Sequence, residues 1–193
     1  MREKFLNAKH WQIFLITFAI PFFLQIIMVP VLLLTEIPSI MLFVMPVVVL
    51  LYLGSFMGWV WSMAIGFHDQ IPLNVILSVK RFKYFFFFPV IYLPLLVVAI
   101  IYFAGYLAGS GAAPTFFSIG LLFTVITPLH LFSMFCMFYC LYFVSKTIKT
   151  VELQREVTFS DYAGEFFLLW FYPVGVWFIQ PKVNELTKKN KLI

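Results

Sequence analysis

Three tracts without a single Asp, Glu, Lys or Arg, residues 10–35, 37–68 and 84–145, leave this chain few folds to choose from. An α-helix rises about 1.5 Å per residue and a hydrocarbon core is about 30 Å thick, so about 20 apolar residues make one crossing. The first two tracts, separated only by Glu36, hold one crossing each, and the third is long enough for two. Because lipid offers no hydrogen bonds, a crossing must satisfy its own backbone, as a helix does. The expected fold is an all-α integral membrane protein with four transmembrane helices, at about 11–34, 40–66, 85–108 and 116–144.

The cations set the orientation. All thirteen Lys and Arg fall into four clusters: Arg2, Lys4, Lys9; Lys80, Arg81, Lys83; Lys146, Lys149, Arg155; and Lys182, Lys188, Lys189, Lys191. Four crossings place every cluster on one side, which the positive-inside rule makes the cytoplasm. Both termini are therefore expected in the cytoplasm, and a basic inner face suits a plasma (inner) membrane. The chain is 63% hydrophobic and 11% charged, against about 25% charged in soluble domains, so an ordinary globular fold is excluded. Its net charge of +5 points to the anionic lipid of the inner leaflet as a partner; short juxtamembrane clusters do not make a nucleic-acid surface. No cleavable signal pattern opens the chain, so the first helix is expected to be a retained anchor.

Between the spans, residues 1–10 read as a basic cytoplasmic arm. The outer turns at 35–39 and 109–114 are short. In the inner loop, Asp69 or Gln70 can cap a short helix with Pro72 in its first turn. Leu73, Ile76 and Leu77 with the Lys80–Lys83 cluster suggest a helix lying in the interface. Residues 146–162 are expected to extend the fourth helix into the cytoplasm. Residues 166–179 hold fourteen uncharged residues interrupted by Pro173 and Gly175, about 21 Å as helix and too short for a crossing. Residues 163–181 are thus expected to be re-entrant or interfacial, and 182–193 a basic tail. Residues 86–90 and 170–174 echo one another in sequence, which either a duplicated hairpin or chance explains.

Few residues suggest chemistry. Gly54, Gly58, Ser62 and Gly66 are spaced four apart and form a small-residue stripe, with Gly105 and Gly109 a weaker pair. Such stripes let helices approach closely, within one chain or between subunits. His130 falls near mid-span with Thr127 and Ser133 on its helix face; Gln25 and Ser55 have similar depth, so the five predict a midplane polar layer. A membrane-buried ionisable residue faces the bundle or a water-filled path. His130 reads either as neutral interhelical glue, as a relay for protons or solute, or as a metal or haem ligand. His10 and His68 lie too far from its depth to complete a bis-histidine haem site. Asp161 and Glu165 are inner-face carboxylates, placed either at a helix N-terminus or beside an inner vestibule. Cys136 and Cys140, four apart on one helix, are expected to be free thiols.

No metalloprotease, nucleophile-elbow or nucleotide-binding signature occurs. The expectation is a small, non-catalytic polytopic subunit without metal or cofactor, which anchors, assembles or regulates other membrane chains or its own copies. A channel or carrier built around Gln25 and His130 is the alternative, and an intramembrane lipid enzyme using His130 or Glu165 a more distant one.

Overall fold

The computed structural model of the protein describes residues 2–35, 38–110 and 115–190, and its regular structure there is entirely helical. Among these residues the α-helices are α1 (Arg2–Asn7), α2, α3 (Pro38–Gly66), α4 (Val79–Ser110), α5 (Phe116–Leu153), α6 (Phe159–Trp170) and α7 (Tyr172–Asn190), with one 3-10 turn at His68–Gln70. Helix α2, residues 10–35, joins His10–Phe14, a π-helical turn Leu15–Ala19 and Ile20–Thr35 without a break. Four stretches are long and apolar enough to cross a membrane: His10–Val31, Pro46–Gln70, Val79–Tyr106 and Phe123–Leu153. The predicted all-helical chain with four such segments is what the fold shows.

Packing is uneven along the bundle. Helix α1 lies across the end of α3, α2 and α7 run side by side, and α6 packs between α5 and α7. The core gathers at that end, where Trp59, Met63, Phe67, Phe82, Phe143 and Val144 are fully buried. Phe82 stacks on Phe143 with ring centroids 4.8 Å apart, which brings the basic start of α4 level with the basic end of α5. At the other end α4 exposes Ile91, Leu95, Val98 and Ile100. Only 11% of the most apolar stretch of its span is buried, against 50% for the span in α3.

Proline explains one tie between the elements. Pro21 has no N–H, so the carbonyl of Thr17, four residues back, loses its helical partner. The hydroxyl of Tyr172 donates to that carbonyl at 2.9 Å. A chain reversal at Phe171 brings Tyr172 there: the N–H groups of Val174 and Gly175 both donate to the Phe171 carbonyl at 3.0 Å. Gly175 sits so close to α6 that a Cβ would fall onto the carbonyl of Leu168. Pro173 occupies the first turn of α7, where a missing N–H costs nothing.

Several boundaries differ from expectation. Residues 71–78 are not helical, and Leu73 and Ile76 stand fully exposed. The basic cluster is instead the first turn of α4, beginning after Ser78, whose carbonyl accepts from the Phe82 N–H at 3.2 Å. Pro72 pushes the residue before it out of the helical region, and Ser78 supplies the cap that starts the helix later. Helix α5 ends at Leu153 because Gln154 adopts a left-handed φ of 52°, a conformation that terminates helices. The expected extension over 146–162 therefore stops midway. Residues 163–181 form two helices, and most of the expected basic tail continues α7 to Asn190. The two echoing segments fold differently, residues 86–90 within a helix and 170–174 around a reversal. Parts of the two outer turns, residues 36, 37 and 111–114, lie outside the described residues, as does the tail from Lys191 onward.

Candidate functional site

Two sets of polar groups stand out, one locked into the packed end and one scattered over the open half.

The locked set centres on Gln180. Its Oε1 accepts from the indole N–H of Trp59 at 2.8 Å. Its amide nitrogen reaches the carbonyls of Phe5 at 2.9 Å and Ala8 at 2.8 Å, and Asn184 Oδ1 at 2.9 Å. The Asn184 amide donates to Ala8 as well, at 3.0 Å. These carbonyls are free because the chain breaks between α1 and α2. A fully buried glutamine thereby fixes the N-terminal helix to α3 and α7. The sequence signal was available: Tyr172, Val176, Ile179, Val183 and Leu186 recur every three to four residues and mark one buried helix face through Pro181.

Beside it four charges close a ring. Lys149 lies 3.0 Å from Glu152 and 3.3 Å from Glu165; Lys182 lies 3.0 Å from Glu152 and 2.7 Å from Glu165. Each charge has two opposite partners, and the ring ties α5, α6 and α7 together. Burial pushes the Glu165 carboxyl up, but the hydrogen bond from Lys182 and the attraction of both lysines outweigh it and hold it below the usual range. For Lys182, burial pushes down while Glu165 and Glu152 raise it, with a net rise. Asp161 serves a different purpose. It is the third helical residue of α6, receives the backbone N–H of Thr158 at 2.8 Å, and pairs with Arg155 at 2.9 Å. The Arg155 bond, then those from Thr158, lower it to about 2. Of the two carboxylates expected at a helix start, Asp161 is the cap and Glu165 belongs to the ring.

The small-residue stripe meets α1. A Cβ on Gly58 would sit 3.1 Å from the ring of Phe5, and one on Gly66 would sit 2.6 Å from Leu6 Cδ1. Ser62 is buried and donates to the Gly58 carbonyl at 2.6 Å. Gly54 lines a groove of ≈ 290 Å³ between α3 and α4 with Leu50, Met57, Trp61, Phe86 and Val90. Nothing lies within 4 Å of a Cβ on Gly54, Gly105 or Gly109.

The five residues of the expected polar layer are not brought together. Ser133 is buried, and Ser55 donates to the Leu51 carbonyl of its own helix at 2.6 Å. Gln25 opens onto a groove between α2 and α3, with Phe18, Phe22, Val48 and Tyr52. His130 lies beside Tyr92, ring centroids 6.3 Å apart. Gln25, Thr127 and His130 are exposed on the surface of the bundle, and among the described residues none of the three has a hydrogen-bond partner. Cys136 and Cys140 are free and buried. Among the described residues no three His, Cys, Asp or Glu side chains converge to hold a metal ion.

Four helices long and apolar enough to cross a membrane are consistent with a multi-pass membrane protein. No protein-family model, characterised protein or solved structure matches the chain.

Proposed function

We propose that this protein is a non-catalytic membrane subunit, which binds other membrane chains through the open half of its bundle. The observation that carries this reading is the exposure of Gln25, Thr127 and His130 with no hydrogen-bond partner among the described residues. Tyr92, level with His130, follows Lys83 by nine residues, about 13 Å of helix and well inside the hydrocarbon. A polar group left unsatisfied there costs several kcal/mol, and a neighbouring helix carrying a donor or acceptor removes that cost. The thin burial of α4 supports the same face, since a helix packed so lightly has surface to give. The charge ring supports a structural role for the acids, because each is matched by two lysines. On this reading the packed, basic end faces the cytoplasm, the α6–α7 hairpin enters the inner leaflet without crossing, and the membrane is the plasma membrane.

Purification from native membranes into nanodiscs tests it. The protein is expected to carry a partner chain in fixed stoichiometry, and H130L with Q25L is expected to lose that partner while eluting as a folded protein. A lone wild-type monomer, or a partner retained equally by the double variant, contradicts the proposal.

A further inference from the structure

A polar cleft of ≈ 300 Å³ opens at the basic end, lined by Lys9, His10, Pro181, Asn184, Glu185 and Lys188. That is roughly ten times one water's share of the liquid. Its two walls come from opposite ends of the chain, the junction of α1 and α2 and the last turns of α7. The floor is rigid, because Gln180 and Asn184 both donate to the Ala8 carbonyl. Among the described residues neither Lys9 nor Lys188 forms an ion pair, whereas Glu185 is matched by Lys189 at 3.3 Å. Two unpaired ammonium groups thus face one carboxylate in the cleft, and its lining is net positive.

Its depth and its neighbours point to the occupant. His10 is the first residue of the first candidate span, so the cleft sits where headgroups begin. Exposed Trp11 and Trp177 flank it, side chains that favour headgroup depth. From the cleft an aromatic ladder descends α2: His10 to Trp177 at 4.8 Å, Trp177 to Phe14 at 5.7 Å, Phe14 to Phe18 at 5.4 Å and Phe18 to Phe22 at 5.2 Å. It runs into the groove of ≈ 200 Å³ lined by Phe18, Phe22, Tyr52 and, at its far side, Gln25. Residues 10 to 22 span about 18 Å, close to one leaflet of about 15 Å.

We infer that this cleft and ladder bind one anionic glycerophospholipid, with its phosphate between Lys9 and Lys188 and an acyl chain along Trp177, Phe14 and Phe18. The charge balance selects against a zwitterionic lipid, whose own cation repels the two lysines. This site needs the chain to lie in a bilayer but does not need a partner chain, so it stands or falls separately from the proposal above.

Native mass spectrometry of the full chain tests it, with phosphatidylglycerol and phosphatidylcholine of identical acyl chains as probes. Phosphatidylglycerol is expected to be retained about tenfold more strongly than phosphatidylcholine. K9Q with K188Q is expected to bring the two lipids close to parity. K80Q with K83Q removes as much charge elsewhere and is expected to keep the preference. Inorganic phosphate at equal concentration is expected to leave the lipid bound. Equal retention of both lipids by wild type, an undiminished preference in K9Q/K188Q, or an equal loss in K80Q/K83Q overturns the site. Displacement by inorganic phosphate overturns the acyl-chain part and makes the cleft a soluble-phosphate site.

Discussion

The basic end of the bundle, where α1, α6 and α7 join the longer helices, and its opposite half differ in how their polar groups are partnered. At the basic end Trp59, Gln180, Glu165 and Tyr172 are buried and each bonds to another helix, while the buried His68 Nδ1 and Thr150 Oγ1 there have no hydrogen-bond partner among the described residues. In the open half Gln25, Thr127 and His130 are exposed and have no hydrogen-bond partner among the described residues. The contrast teaches where a chain is complete in itself and where it offers surface. Stability should reside at the first place, and association at the second.

The largest expected difference is steric. G175V drives a side chain into the backbone of Leu168, an overpacking that costs about 3 kcal/mol or more. G105V meets nothing within 4 Å and should change the purified protein's stability by less than about 0.5 kcal/mol. Unfolding midpoints of the two variants in detergent measure this. Equal midpoints would erase the distinction between the regions.

Next comes the buried amide. Q180L leaves the Trp59 N–H and the Phe5 carbonyl without their partner and the Ala8 carbonyl with Asn184 alone, for a loss of about 3 kcal/mol. Q25L removes an exposed, unpartnered group and should leave the isolated chain as stable as before. Proteolysis at the α1–α2 junction should accelerate in the first variant alone.

The charge ring gives a smaller, pH-dependent effect. K182M leaves Glu152 and Glu165 with one lysine between them, a loss of about 2 kcal/mol once partial exposure is allowed for. Glu165 titrates lower in the folded chain than unfolded. Its contribution is therefore complete above the ordinary Glu value of about 4.3 and disappears as pH falls through the lower folded value. Lys182 titrates higher when folded, so its share is complete below the ordinary Lys value of about 10.4 and fades as pH rises past it. Thermal midpoints are expected to fall at both extremes for wild type and to flatten in K182M. Parallel profiles would show that the ring contributes nothing.

The smallest effect is the most specific. Y172F removes the bond to the Thr17 carbonyl, worth about 1 kcal/mol. P21A returns a backbone N–H to that carbonyl, so Y172F should cost less in the P21A background. A double-mutant cycle reads the coupling, and strict additivity would refute the link.

How much of this the sequence carried depended on the kind of signal. Charge-free tracts and clustered cations marked the four apolar helices, because hydrocarbon thickness acts directly on composition. The C-terminal segment was harder. Its length argued against a crossing and Pro173–Gly175 marked a break, but Lys182, Lys188 and Lys189 suggested a solvated tail and masked the three-to-four-residue recurrence of Val176, Ile179, Val183 and Leu186, the buried face of a helix. Gln180 was not legible at all, since its partners Trp59, Phe5 and Ala8 lie more than a hundred residues away. Depth alone grouped Gln25, Ser55, Thr127, His130 and Ser133; helix rotation decides which of them meet, and a one-residue step turns a side chain by about 100°. The stripe at Gly58 and Gly66 was visible as a close-approach surface, while its occupant, a six-residue helix at the start of the chain, was not.

Photocrosslinking from the open half tests the central claim most directly. A photoreactive amino acid at Thr127, one turn from His130 on the same exposed face, should capture a single protein band in native membranes, and the same group at the exposed Trp177 should capture lipid alone. Only lipid adducts at Thr127 would mean that the unpartnered face is a lipid surface and that this chain completes nothing beyond itself.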